Sequence, residues 1–207
     1  MRLTYVTGRH RSTIWKVLHR HGCSRRRSLP RQTSRRHEWA EAGALLHIDG
    51  FELPKFAVSG HWATGQRAEQ HKTRNAGKTH VIGVVDDHTR LANCQLHSAE
   101  NAIAVSQTLR RAARWFAEQG CGPIQAVMSD NAECYSTSFA FRDTLVELDA
   151  RQILTPPYTP RWNDKIERFL DTLDTEWAHG RIWPDSTTRD RARKRVALPG
   201  VLRLSRI

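Results

Sequence analysis

"THVIGVVDDHTRLANCQLHS", residues 79–98, decides the architecture. Its first part, Thr79–Asp87, is a short apolar run rich in β-branched residues, which reads as a buried strand. "HTR" at 88–90 supplies a turn, and Leu91–Ser98 reads as the hairpin partner. Upstream, "GALLHIDGFEL" (43–53) reads as another strand, with Asp49 inside its apolar run. A polar, glycine-containing stretch over 54–78 separates the two. A loop of that length in a compact domain is usually functional or mobile.

Downstream the period changes. Residues 100–120 read as a helix with Ile103, Val105, Leu109, Ala112, Ala113 and Phe116 facing inward and Gly120 as its stop. "IQAVMSD" (124–130) is a strand ending on Asp130, 138–148 is a helix, and "RQILT" (151–155) is a short strand. The last long helix lies within "TPPYTPRWNDKIERFLDTLDTEWAHG" (155–180), with Ile166, Phe169, Leu170, Leu173 and Trp177 as its apolar stripe. Strand, loop, strand, strand, helix, strand, helix, strand, helix describes an α/β domain: a mixed sheet flanked by helices.

Charge is distributed unevenly. Residues 1–40 carry 11 Lys/Arg and one acid, and residues 180–207 carry eight and two. The segment between them is weakly acidic, although the whole chain is +12. Basic arms of this kind attract a polyanion, most simply nucleic acid; solubilising tails are the plainer alternative. Residues 12–21, "STIWKVLHRH", read as a helix capped by Ser12 or Thr13, with Ile14, Val17 and Leu18 on its apolar face. After the turn that precedes it, this helix fits the recognition helix of an incomplete helix-turn-helix. "SRRRSLPRQTSRRHE" (24–38) is a basic linker with almost nothing to bury.

Other classes are disfavoured. The four cysteines form no C-x-x-C pair, so neither a zinc site nor a disulfide framework is indicated, and "HRHGC" (19–23) lacks a second ligand pair. "VIGVV" (81–85) is too short to span a membrane, and the N-terminus has no apolar signal core. The expectation is a cytoplasmic protein with reduced thiols and no membrane partner.

Three carboxylates carry chemical promise. An isolated ionised carboxylate in an apolar strand is costly. Asp49 and Asp130 are such residues, although Asp130 also suits a turn and Glu167 a surface helix position. Two carboxylates on neighbouring strands and one on a helix can hold two divalent cations about 3.5–4 Å apart, the arrangement that serves in-line phosphoryl displacement. Magnesium prefers such oxygen ligands.

"LLHIDGFELPKF", "VVDDHTRLANCQLHSAEN", "VMSDNAECYSTSFAFRDTL" and "LTPPYTPRWNDKIERFLDTLDTEWA" resemble successive blocks of the DDE transposases of bacterial insertion sequences. The densest block is Tyr158–Thr159–Pro160 followed by Asn163, Lys165, Glu167, Arg168 and Phe169. The resemblance, over about residues 1–185, implies a retroviral-integrase-like, RNase H-like fold with a five-stranded sheet. It also implies that Asp49, Asp130 and Glu167 are the catalytic, metal-holding triad, with Mg2+ or Mn2+ in a two-metal site. The 36 residues between Asp130 and Glu167 are close to the family's spacing. Asp86 and Asp87 fall in the family's hairpin turn and are not catalytic there.

The implied activity is DNA end cleavage followed by strand transfer, on transposon ends and target DNA, by a homo-oligomer. Arg11, Thr13, Trp15 and Lys16, the linker's Arg25, Arg26 and Arg27, and Arg161, Lys165 and Arg168 are the candidate DNA contacts. For Arg161, Lys165 and Arg168 a solvated helix face is an equal alternative. The expected organisation is a partial helix-turn-helix (1–23), a basic linker (24–42), the catalytic core (43–180) and a basic, disordered or aberrant tail (181–207). Ala132 and Asp164 replace glycines usual in the family, Asp171 replaces a usual base, and the pattern is lost after about residue 192. The lost C-terminal pattern, with the short N-terminus, implies a truncated or frame-shifted copy. The departures leave two rivals: a DNA-binding remnant without catalysis, and a general RNase H-like nuclease.

Overall fold

The computed structural model describes residues 2–24, 38–60, 65, 76–156 and 162–196. The chain divides into two compact units, Met1–His37 and Glu38–Ile207. In the first unit, α1 (Arg2–Thr7) and α2 (Arg11–Arg20) are joined by a short turn. The helix-turn-helix was expected to be incomplete, and α1 has only six residues. The cap of α2 differs: His10, not Ser12 or Thr13, precedes the helix, and its ring nitrogen accepts from the Ser12 amide. No residue of α2 is buried; Ile14 and Leu18 are only half-buried.

In the second unit the strands are β1 (Leu45–Pro54), β2 (Lys78–Asp86), β3 (Ala92–His97), β4 (Ala126–Ser129) and β5 (Arg151–Leu154). They form one sheet in the order β3-β2-β1-β4-β5. The β1–β2 and β2–β3 pairs are antiparallel, whereas β1–β4 and β4–β5 are parallel. Parallel neighbours require crossovers, and helices supply them. They are α3 (Ala102–Glu118), a short α4 (Glu133–Ser136) and α5 (Phe139–Glu147). Asn101 and Ser138 cap α3 and α5 by accepting the Ala104 and Phe141 amides. The mixed five-stranded sheet flanked by helices is the RNase H-like arrangement.

Alternation along β1 sorts the two faces. Leu46 and Ile48, with Ile82 and Val84 of β2, pack against Val105, Leu109, Ala112 and Phe116 of α3. Leu53, with Val81 and Val85, packs on the opposite face against α6 (Asp164–Thr172). One expected core position fails: Ile103 is 63% exposed. Thr108 turns inward in that helix, its hydroxyl donating to the Ala104 carbonyl.

Beyond α6 the chain winds as a π-helix over Leu173–Ala178, and the last described element is α7 (Ser186–Val196). A disordered or aberrant tail from 181 was expected; over 181–196 the segment is ordered. Trp183 joins the core with its indole N–H on the Trp177 carbonyl, and Arg189 is 1% exposed. The Arg189 guanidinium donates to the Pro54 carbonyl and to Asp190, while Trp177 Nε1 donates to the Arg189 carbonyl. Residues 197–207 lie outside the described residues, as does most of the 54–78 loop. Trp39, expected in the linker, lies in the second unit and donates its amide to Asp87.

Candidate active site

Parallel pairing of β1 with β4 sets the site's position. The register runs Leu45↔Ala126 to His47↔Met128. Two residues further along each strand stand Asp49 and Asp130, where β4 has ended and the strands open. Asp49 lies opposite Gly83 of β2. That glycine admits α6: a β-carbon on it would stand 2.9 Å from Leu170 Cδ2, 3.2 Å from Phe169 Cε1 and 3.3 Å from Ile166 Cδ1. Ile166, Phe169 and Leu170 therefore sit directly on the sheet, and Glu167 emerges between them as an exposed residue.

Asp49 is half-buried and accepts two hydrogen bonds, from the Gly50 amide at 2.8 Å and from Asn163 Nδ2 at 2.9 Å. Asp130 is half-buried and accepts from the Ala132 amide at 3.0 Å. Burial raises the Asp49 carboxyl to about 6; the Gly50 amide opposes this, while the negative charges of Asp130, Glu100 and Glu167 add to it. Asp49 thus feels the charge of each of the other two sequence-predicted acids.

A fourth carboxylate, Glu100, was missed in the sequence. Its Oε1 accepts from the Tyr135 hydroxyl at 3.3 Å and lies 2.9 Å from where a β-carbon on Gly50 would be. Burial raises its pKa. Nothing local marked it, because "SAEN" reads as the approach to a helix. An open depression of about 620 Å³ adjoins it, lined by Glu52, His80, Glu100, Ala132, Glu133 and Cys134 among others.

Crowded oxygen donors of like charge fit a hard divalent cation in atom type and in sign. Among the described residues, no three His, Cys, Asp or Glu side chains converge closely enough to hold an ion as they stand. Ala132 has φ −59°, so alanine meets no backbone strain at this position.

The predicted DNA contacts divide. Arg11, Thr13, Trp15 and Lys16 are all exposed on α2, and Trp15 stacks on His19 with centroids 4.8 Å apart. Arg25, Arg26, Arg27 and Arg161 lie outside the described residues. Arg168 pairs with Asp164 at 2.8 Å, one turn apart on the outer face of α6. Lys165 points inward: its ammonium donates to the Asp87 carboxylate and, at 3.2 Å, to the Asp87 carbonyl.

Asp86 and Asp87, expected as hairpin-turn residues, are 0% and 2% exposed. Asp86 accepts from the Gly43 amide and from the Thr89 amide and hydroxyl. Asp87 accepts from His47 Nε2 at 2.9 Å and from the Trp39 amide at 2.7 Å. Burial works against its ionisation, yet His47, Lys165 and Trp39 hold its carboxyl well below the usual range.

A family model described as DDE superfamily endonuclease matches residues 50–189. That stretch begins one residue after Asp49 and contains Asp130 and Glu167. Among solved structures, the chain is similar to one in the simian T-cell lymphotropic virus intasome with PP2A regulatory subunit B56 gamma. That likeness has 16% identity and TM-score 0.58, over 99% of this chain and 67% of the other. The catalytic core domain of BIV integrase is also matched, at 15% identity and TM-score 0.45, over 66% of this chain and 70% of that one. No protein of curated function matches. At 16% identity the likeness to the intasome chain speaks for the fold, and the family model, which spans most of the chain, speaks for kinship: the chain belongs to the DDE superfamily of endonucleases.

Proposed function

We propose that this protein is a transposase that cleaves DNA at the ends of a mobile element and joins the freed 3′-hydroxyls to target DNA. The observation that carries the reading is the crowding at Asp49, where Asp130, Glu167 and Glu100 all press on one half-buried carboxylate at the mouth between two parallel strands. Asp49, within β1, and Asp130, just past the end of β4, each accept from a backbone amide, and Glu167 is carried by α6, which packs on the sheet. Together they would hold Mg2+ or Mn2+ in a two-metal site. Bound there, such ions activate the attacking oxygen and stabilise the leaving one. Asn163 orients Asp49 through its amide group. The exposed Arg11, Thr13, Trp15 and Lys16 of α2, with the basic linker residues Arg25, Arg26 and Arg27, meet DNA, most simply through phosphates. Transposases of this architecture work on paired ends, so the active form is a homo-oligomer.

The test is a cleavage and strand-transfer assay on DNA carrying the element's own ends, in Mg2+ and in Mn2+. Both products are expected, and Asp49→Asn should remove them while leaving DNA binding intact. Salt-sensitive binding without cleavage in either metal would leave only a DNA-binding protein. Cleavage of RNA–DNA hybrids without end preference would mark a general nuclease.

A further inference from the structure

The first turn of α6 is tied to the sheet by two side chains that leave it on either side of Asp164. Asn163, 6% exposed, donates to Asp49 on β1. Lys165 reaches Asp87, where β2 ends, through both the carboxylate and the main-chain carbonyl. Asp87 is no ordinary surface partner. His47 Nε2 and the Trp39 amide also bind it, and both His47 and Asp87 are 2% exposed. His47 lies two residues before Asp49 on the same face of β1. Glu167 lies two residues after Lys165. One ion pair therefore joins the strand that carries the first acid, the turn beside it and the helix that carries the third.

We infer that the Lys165–Asp87 pair, braced by His47, positions α6 so that Glu167 faces Asp49, and that Lys165 is a positioning residue and not a contact to DNA phosphate. The packing of Ile166, Phe169 and Leu170 over Gly83 holds the helix down on the sheet. Apolar packing is non-directional and tolerates small slides and rotations. An ion pair whose carboxylate is buried does not, because displacing the ammonium removes a partner from a buried charge. The inference rests on the reading of Glu167 as an acid of the site.

The experiment compares the full chain with Lys165→Met, Lys165→Arg, Asp87→Asn and the double variant Lys165→Met/Asp87→Asn. Mn2+ binding is followed by the paramagnetic signal of the free ion, and end-DNA affinity is measured across a salt series. Lys165→Met is expected to weaken Mn2+ binding about tenfold, the usual loss when the support of a ligand is removed. DNA affinity and its salt slope should stay at wild-type values, and the double variant should be no worse than its poorer single parent. Lys165→Arg keeps the charge but not the compact ammonium, and should show the same pattern more weakly. It also serves if the methionine variant does not fold.

A salt slope reduced by about one, with Mn2+ affinity unchanged, would make Lys165 a phosphate contact and overturn the inference. Lower thermal stability with unchanged Mn2+ affinity would make the pair merely structural and overturn it too. Amide hydrogen exchange separates this failure from failure of the proposed activity. Should the wild-type chain bind no Mn2+, the proposed function is lost. The positioning role then stands or falls on whether exchange over 164–172 speeds up in the Lys165 variants while 45–54 and 78–86 stay protected.

Discussion

Asp49 is under electrostatic load before any ion arrives, and its pKa makes that measurable. A carboxyl raised from 3.8 to about 6 keeps its proton in the folded state after the unfolded chain has lost it. Stability should therefore fall as pH rises from about 4 to about 6, by up to about 3 kcal/mol. Asp49→Asn should flatten that fall and be the more stable protein above pH 6; denaturant midpoints across pH 4–8 check it, and parallel curves for the two proteins would refute it. Asp49 was legible in the sequence because an acid inside "LLHIDGFEL" has no apolar reason to be there. Glu100 and Asn163 were not legible. Each is ordinary in its own segment, and only folding brings Glu100 beside Gly50 and Asn163 onto Asp49.

Elements place these residues by close approach. Gly83 has the three apolar side chains of α6 against its Cα. Gly83→Ala should cost about 1–3 kcal/mol by overpacking and, by lifting α6, should slow end cleavage more than it weakens DNA binding. Wild-type stability in denaturant would show that the helix can move aside without cost. The C-terminal elements matter as well. Trp183 stacks under the Arg181 guanidinium at 3.7 Å and donates to the Trp177 carbonyl. Trp183→Ala should cost about 3–5 kcal/mol, as for other buried tryptophans, read from urea unfolding. A loss under about 1 kcal/mol would mean that this segment only rests on the core. Its structure was hidden from sequence reading because it is strongly basic and its buried cation, Arg189, gives no apolar period. Its stability comes from carbonyl acceptors and aromatic rings supplied by distant segments.

At the scale of the whole molecule, charge is segregated: a strongly basic N-terminal region precedes a weakly acidic central region. An acidic centre repels a polyanion unless cations are present, so the proposed function requires DNA affinity from elsewhere in the chain. Arg11 and Lys16 are exposed on α2. Replacing both with alanine should reduce the slope of log affinity against log salt by about two, measured by fluorescence anisotropy on end DNA. An unchanged slope would place the DNA contacts on other residues. No helix among the described residues is long and apolar enough to cross a membrane.

The sequence by itself determined the mixed sheet, because period-two and period-3.6 apolar patterns are local and survive without partners. It also determined which acids are out of place in apolar strands. Only the tertiary structure decided what holds them. The parallel register of β1 and β4 set Asp49 beside Asp130, and the gap at Gly83 admitted α6. The burial of Asp87 turned a hairpin acid into the anchor of Lys165. Each of these depends on residues tens of positions apart meeting in space, and a pattern within one segment carries no record of its partner.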